Sequence, residues 1–164
     1  MDGTVALRAF RADDEGQVDR LAVAAFQQYS GLFSDWPAMA AGLACSAELA
    51  TKAEIIIAET GGRIAGSVGY CGPDRPKAVY FDQAWPIIRM LVVDPAMRGK
   101  GLGRLLSEAC MVKARRDRST VIALHTSPIM TVALPMYQRM GFEWLRDVPP
   151  IHGVPYAVYL KQLA

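Results

Sequence analysis

The 164-residue chain reads as a three-layer α/β domain, with helices on both faces of one mixed sheet. Three observations predict this. Strand-like runs interleave with segments of helical period along the whole chain. The first half is rich in hairpin signals, and a strand–helix–strand crossover follows near the middle. The length allows one core and little more, so a single domain over residues 1–164 is expected.

In order, Val5 to Phe10 alternates well enough for a first strand. Asp13 or Asp14 caps a helix whose apolar residues, Val18, Leu21, Ala22, Ala25 and Phe26, recur at helical spacing. Tyr29 to Trp36 is a loop with three aromatics and a glycine, and Pro37 to Ala50 is a second helical stretch. Glu54 to Glu59 and Arg63 to Tyr70 form a hairpin about Gly61-Gly62. After a loop with two prolines, Cys71 to Lys77, a strand lies within Tyr80 to Val93, strongest from Ile87 and stopped by Asp94-Pro95. A helix from about Gly101 to Arg116 buries Leu102, Leu105, Leu106, Ala109 and Cys110. Val121 to Thr126 is a strand and Thr131 to Met140 a helix. Phe142 to Arg146 is a strand ending before Pro149-Pro150, and Tyr156 to Leu160 is the last strand.

Composition excludes several classes. About half the residues are apolar and a fifth charged, as in ordinary globular domains. No apolar run reaches the ~18–20 residues of a membrane span, and no signal-peptide series opens the chain, so a cytoplasmic protein with no membrane partner is expected. The net charge is only +2. The densest basic cluster, Lys113 to Arg118, contains Asp117 and ends a helix, where cations complement the dipole; no nucleic-acid partner is expected. Cys45, Cys71 and Cys110 are far apart, and with His125 and His152 they make no plausible zinc set, so no metal is expected.

The informative stretch runs from Ile87 to Gly103. A buried strand ends, a short loop follows, and Gly99, Gly101 and Gly103 alternate into the first turn of a helix. Free amide hydrogens at a helix start, unobstructed by side chains, make an anion site. Arg98, Lys100 and Arg104 crowd that terminus, where the dipole disfavours cations unless an anion is present. A P-loop is excluded because Gly101 follows Lys100 where Ser or Thr is required. A dinucleotide fingerprint fails because Arg104 or Leu106 occupies its third glycine position.

These residues resemble the GCN5-related N-acetyltransferase family. Arg98-Gly-Lys-Gly101-Leu-Gly103 matches that family's Arg/Gln-x-x-Gly-x-Gly/Ala signature, and Leu91-Val-Val-Asp-Pro95 is similar to the strand and turn that introduce it. Ala133-Leu-Pro-Met-Tyr137-Gln-Arg-Met-Gly141-Phe142 resembles a second signature, Ala-x-x-x-Tyr-x-x-x-Gly-Phe. The resemblance implies a mostly antiparallel mixed sheet, splayed at a cofactor cleft between the central strand and the next. It further implies acetyl-CoA as acyl donor, with Leu91, Val92 and Val93 on the pantetheine arm and Arg98, Gly99, Lys100, Gly101, Leu102 and Gly103 around the pyrophosphate. Tyr137 would stand near the thioester sulfur as general acid.

The base is less defined. Many family members carry a glutamate on the central strand, whereas Ile87-Ile88-Arg89-Met90 has no carboxylate. His125 is the direct candidate, with Glu48, Asp82 or a relayed water behind it. Arg89 interrupts an apolar run and must reach solvent, pair with a carboxylate such as Asp82, or bind an acidic acceptor. Tyr29, Phe33 and Trp36, with the Asp147–Pro155 loop, are expected to line the acceptor pocket, although aromatics there also suit a core. His152 reads as solvated. The expected activity is direct acetyl transfer to the primary amine of a small molecule, with a homodimer left open. The alternatives are acetylation of a protein α-amine or lysine, and a non-catalytic acyl-CoA-binding domain.

Overall fold

The computed structural model describes residues 3–163. Seven strands form one sheet: β1 (Ala6–Ala9), β2 (Glu54–Thr60), β3 (Arg63–Cys71), β4 (Ile87–Val93), β5 (Val121–Thr126), β6 (Glu143–Ile151) and β7 (Val154–Gln162). Their spatial order is β1-β2-β3-β4-β5-β7-β6, and only β4 and β5 run parallel. Five helices cover the two faces: α1 (Glu15–Phe26), α2 (Trp36–Leu43), α3 (Ser46–Leu49), α4 (Leu102–Arg116) and α5 (Ala133–Arg139). The sheet is mixed and mostly antiparallel, as expected.

Strand alternation builds the layers. Ile56 and Ala58 of β2 face the α4 side with Val68, Leu106 and Cys110, while Ile55 and Ile57 face Val18 of α1. The Asp14 carboxylate accepts from the Arg11 amide at 2.8 Å across the 3-10 turn Ala12–Asp14 that leads into α1, and it pairs with Arg8 rather than capping α1 with its side chain. Gly61 and Gly62 both have positive φ, the geometry a two-residue hairpin turn needs.

Two features of β4 position the site. Met90 has φ +53°, and it and Leu91 together oppose Val68, because β4 pairs Arg89 with Gly69 and then Val92 with Ser67. This bulge shifts the alternation, so that Ile88 and Leu91 pack on the α4 side while Met90 and Val92 pack under α1 and α2. The other feature is the junction with β5. The two strands pair only at Ile87 and Ala123, beside a bond from the Ala123 amide to the Pro86 carbonyl, and they diverge toward their C-terminal ends.

Several elements differ from the sequence reading. The 37–50 stretch is two helices, broken at Ala44 and Cys45, whose dihedrals leave the helical region. Part of the 29–36 loop belongs to a 3-10 turn over Gln27–Leu32. Within the 80–93 stretch the strand begins at Ile87, where the pattern is strongest, and Tyr80 to Pro86 is a string of turns. Leu105 lies on the outer side of α4, 36% exposed. Most notably, β6 runs through Pro149-Pro150. It is an edge strand, and both prolines fall in an irregularity between Val148 and Ile151, where no ladder bond is required of them. The 147–155 segment is therefore a hairpin rather than a loop. Its turn residues His152 and Gly153 have positive φ, and the His152 carbonyl accepts from the Ser34 amide at 2.8 Å. No helix among the described residues is long and apolar enough to cross a membrane.

Candidate active site

The divergence of β4 and β5 opens a cleft of about 410 Å³ above the start of α4. Its walls are Leu91, Val92 and Val93 of β4, the loop from Met97 to Arg104, Met130, and Val132, Ala133 and Met136 at the α5 end. Gly101 is the N-cap of α4, with φ +78° and no side-chain cap, and Gly99 has φ +79°. The first bond of the helix runs from the Leu105 amide to the Gly101 carbonyl, so the amides of residues 102–104 precede any acceptor within the helix. A Cβ at Gly103 would come 3.3 Å from Met136 Sδ. A side-chain-free, amide-lined cradle at the positive end of a 15-residue helix fits a diphosphate. The apolar β4 edge beyond it fits an amide-bearing alkyl arm.

The three cations of this loop do different things. The Arg98 guanidinium turns back to α1, donating to the Ala25 carbonyl at 3.0 Å, near the helix C-terminus. With its carboxamide oxygen toward Arg98, Gln28 accepts from both terminal guanidinium nitrogens, at 2.7 and 2.8 Å, and Tyr29 joins the same group. Arg104 pairs with Glu108 one turn on, at 2.8 Å. Lys100 is exposed. Arg98 is thus the strut of the loop, a role that its motif position alone does not reveal. Tyr29 lines the cofactor cleft beside it.

Tyr137 lies under the cleft, not in its wall. It is 5% exposed, edge-on to Phe142 at 5.5 Å, and packed among Leu106, Cys110 and Ile88 with Ser107 as its polar neighbour. Burial pushes its hydroxyl far above the usual tyrosine range. Ser107 donates to the Gly103 carbonyl at 2.7 Å, so this hydroxyl pair sits one helical turn below the cradle.

On the opposite face, β4, β5 and β7 bring Arg89, His125 and Tyr156 to one surface. His125 and Val158 are register partners, and Arg89 shares the phase of Ile87. The Tyr80 hydroxyl lies 2.8 Å from Nδ1 of His125, the Phe81 ring stacks on the imidazole, and Tyr156 meets it edge-on at 5.3 Å. Burial, and then the Arg89 cation, push His125 down to about 4. The imidazole is therefore neutral at pH 7 and a weak base. Tyr80, Phe81 and Tyr156 are site residues that the sequence reading missed; no local motif marks them, because Tyr80 and His125 are brought together only by the fold.

The other base candidates point elsewhere. Glu48 is exposed and pairs with Lys52, and Asp82 caps the turn at Ala84. Phe33 is a core residue, 5% exposed and packed against the half-buried Trp36. In the Lys113–Arg118 cluster, Lys113 and Arg116 bind Glu54, and Arg116 also binds Asp117.

A parallel pair split over a glycine-capped helix start, with Arg89, His125 and Tyr156 gathered on the other face, fits a coenzyme-A-dependent acyl-transfer domain. The chain belongs to the acetyltransferase (GNAT) family, whose profile matches residues 24–142. That family's acyl donor is acetyl-CoA. The fold is similar to that of a GCN5-related N-acetyltransferase from Rhodopseudomonas palustris, at 20% identity over 99% of this chain and 98% of the other, TM-score 0.77. It is also similar to PaiA N-acetyltransferase from Thermoplasma acidophilum, solved with coenzyme A, at 13% identity over 97% and 99%, TM-score 0.77. A third likeness is to YncA from Salmonella typhimurium, solved with acetyl-CoA, at 17% identity over 98% and 95%, TM-score 0.69. No curated protein matches the chain in sequence.

Proposed function

We propose that this chain passes the acetyl group of acetyl-CoA directly to the primary amine of a small molecule, within a ternary complex. The observation that carries the reading is the split between β4 and β5. The α4 cradle lies on one side of it, and Arg89 and His125, carried by the two strands, share the other side with Tyr156 and the Tyr80 hydroxyl.

The residues divide the work. Leu91 to Val93 align the pantetheine arm, and the amides from Arg98 to Gly103 hold the pyrophosphate, with Arg98 bracing the loop against α1. The amine nitrogen attacks the thioester carbonyl carbon, the carbon–sulfur bond breaks, and the proton lost by nitrogen balances the thiolate. Burial keeps Tyr137 protonated, and although it lies beneath the cleft its place in the Ala133–Phe142 motif supports a role as hydrogen-bond donor to the departing sulfur. Since His125 is a weak base, the acceptor must arrive as neutral amine, its proton already given to water. Burial raises the Cys45 thiol and Cys71 and Cys110 are buried, which supports direct transfer over an acetyl-cysteine intermediate. Three unpaired thiols also suit the cytoplasm.

A protein acceptor is the second reading. The bond from the Ser34 amide ties the tip of the β6–β7 hairpin to the chain before α2, a closed arrangement that supports a small acceptor. Thiol release from acetyl-CoA, measured with small amines and with peptides, tests both. Intersecting initial-rate lines and turnover of small amines are expected. Parallel lines would exclude direct transfer, and turnover of peptides alone would exclude the small-molecule reading.

A further inference from the structure

We propose that the acceptor carries a carboxylate and that Arg89 binds it. The proposal rests on the acetyl-transfer reading above and names the acceptor class of that site. Arg89 is half-buried on the central strand, and its guanidinium makes no hydrogen bond or ion pair with any described residue. Other arginines set against the fold are satisfied. Arg8 holds Asp14 and Glu59, Arg75 bonds the Thr51 and Lys52 carbonyls, Arg98 holds Ala25, and Arg116 binds Glu54 and Asp117. A cation taken partly out of water with nothing to replace the water is costly, and structures rarely retain one without use.

The groups around Arg89 offer no counter-charge. Cys45 reaches it from the joint of α2 and α3, Tyr80 from the turns before β4, and His125 from β5. Burial keeps the thiol and the phenol protonated, and the imidazole is neutral. The carboxylates that face Cys45 are engaged, Asp19 accepting from the Ser46 amide at 3.0 Å and Glu48 pairing with Lys52, and Asp82, the partner suggested by the sequence, accepts from the Ala84 amide instead. The anion that completes this site must therefore come from outside the chain. Arg89 stands two residues before Leu91, about 7 Å along the strand from the pantetheine segment. An amine and a carboxylate a few bonds apart span from the guanidinium to the reacting carbonyl. The planar fork suits a carboxylate, taken bidentately.

The test compares α-, β- and γ-amino acids with their own amides as acceptors, on wild type and on Arg89→Gln and Arg89→Lys. Wild type should prefer at least one free acid over its amide. Arg89→Gln should lower that acid-to-amide ratio of kcat/KM roughly 10–100-fold, mostly through acceptor KM, with acetyl-CoA KM unchanged. Comparing ratios between variants cancels the difference in amine pKa between acid and amide. Arg89→Lys should fall between. The thermal midpoint of Arg89→Gln should be unchanged or higher, whereas loss of a structural ion pair would lower it. An acid-to-amide ratio that survives Arg89→Gln overturns the proposal. So does efficient use of neutral amines with no acid accepted, although acetyl transfer then stands. If no amine raises thiol release and no amino acid gives a titration heat with CoA-loaded protein, both readings fall.

Discussion

The Tyr80 hydroxyl bonds Nδ1 of His125 at 2.8 Å, which ties the turns before β4 to the strand across the split. Burial beneath the stacked Phe81 ring, and then the Arg89 charge, leave an imidazole whose pKa is pushed down to about 4. Taking a proton from an α-ammonium group of pKa ~8 would then be uphill by roughly 5 kcal/mol. The pH profile should accordingly follow the acceptor. Log kcat/KM should rise with unit slope until the amine's own pKa and show no inflection near 6.5. An inflection between pH 6 and 7 that disappears in His125→Gln would make His125 the base.

The same shift has a consequence for stability. His125 has a lower pKa folded than unfolded, so the native state is fully favoured above about 6.5. That advantage is lost as pH falls from 6.5 toward about 4, because the unfolded chain binds the proton first. The loss attributable to this residue is roughly 3 kcal/mol over the window. Denaturant titrations at pH 7 and pH 4 should show a smaller drop for His125→Gln than for wild type. Equal drops would mean that the imidazole is not held neutral.

The cradle makes two glycines unequal. A Cβ at Gly101, where φ is +78°, would meet nothing within 4 Å, so alanine there costs backbone strain, about 1 kcal/mol, and crowds the anion. Gly103 lies in the helix, and its added methyl meets the flexible end of Met136 and, at ordinary contact distance, the Leu91 side chain. Gly101→Ala should weaken acetyl-CoA binding at least ~10-fold by calorimetry, and Gly103→Ala should change it much less. The reverse order would move the anion away from the helix start.

Local chemistry made the donor half of this site legible. The spacing of Gly99, Gly101 and Gly103 after an apolar strand carries its own geometry, and periodicity located α4 and β5 nearly to the residue. The acceptor half rests on tertiary contacts that leave no periodic trace. Tyr80 meets His125 from 45 positions away, and Phe33, in an aromatic-rich loop that reads equally as pocket or core, turned inward. Pro149-Pro150 reads as a stop because proline lacks a donor, yet at an irregular sheet edge no donor is needed.

Arg98 joins the cofactor loop to α1, so its loss should act at a distance from any phosphate. Arg98→Ala removes the bond to Ala25 and the contacts to Gln28. We expect acetyl-CoA KM to rise roughly 10-fold with kcat little changed, since charged hydrogen bonds contribute about 1.5–3 kcal/mol. Faster amide exchange at the end of α1 should accompany it. A KM effect with unaltered exchange there would assign the guanidinium directly to the pyrophosphate.

Tyr137 offers the sharpest separation of binding from chemistry. Its hydroxyl is buried beneath the cradle beside Ser107, and its raised pKa makes complete proton transfer to a thiolate of pKa ~8.5 strongly uphill. Donation of a hydrogen bond as the sulfur gains charge requires no such transfer and stabilises the transition state more than the ground state. Tyr137→Phe keeps the ring against Phe142 and removes only the donor. It should lower kcat ~10- to 100-fold while leaving acetyl-CoA affinity within about twofold and the thermal midpoint within a few degrees. A donor role also predicts selectivity among leaving groups: an acyl thioester with a more acidic thiol should lose less of its rate in the variant than acetyl-CoA does. If Tyr137→Phe turns over at the wild-type rate, the hydroxyl belongs to the core alone, and the departing thiolate is stabilised by solvent at the mouth of the split.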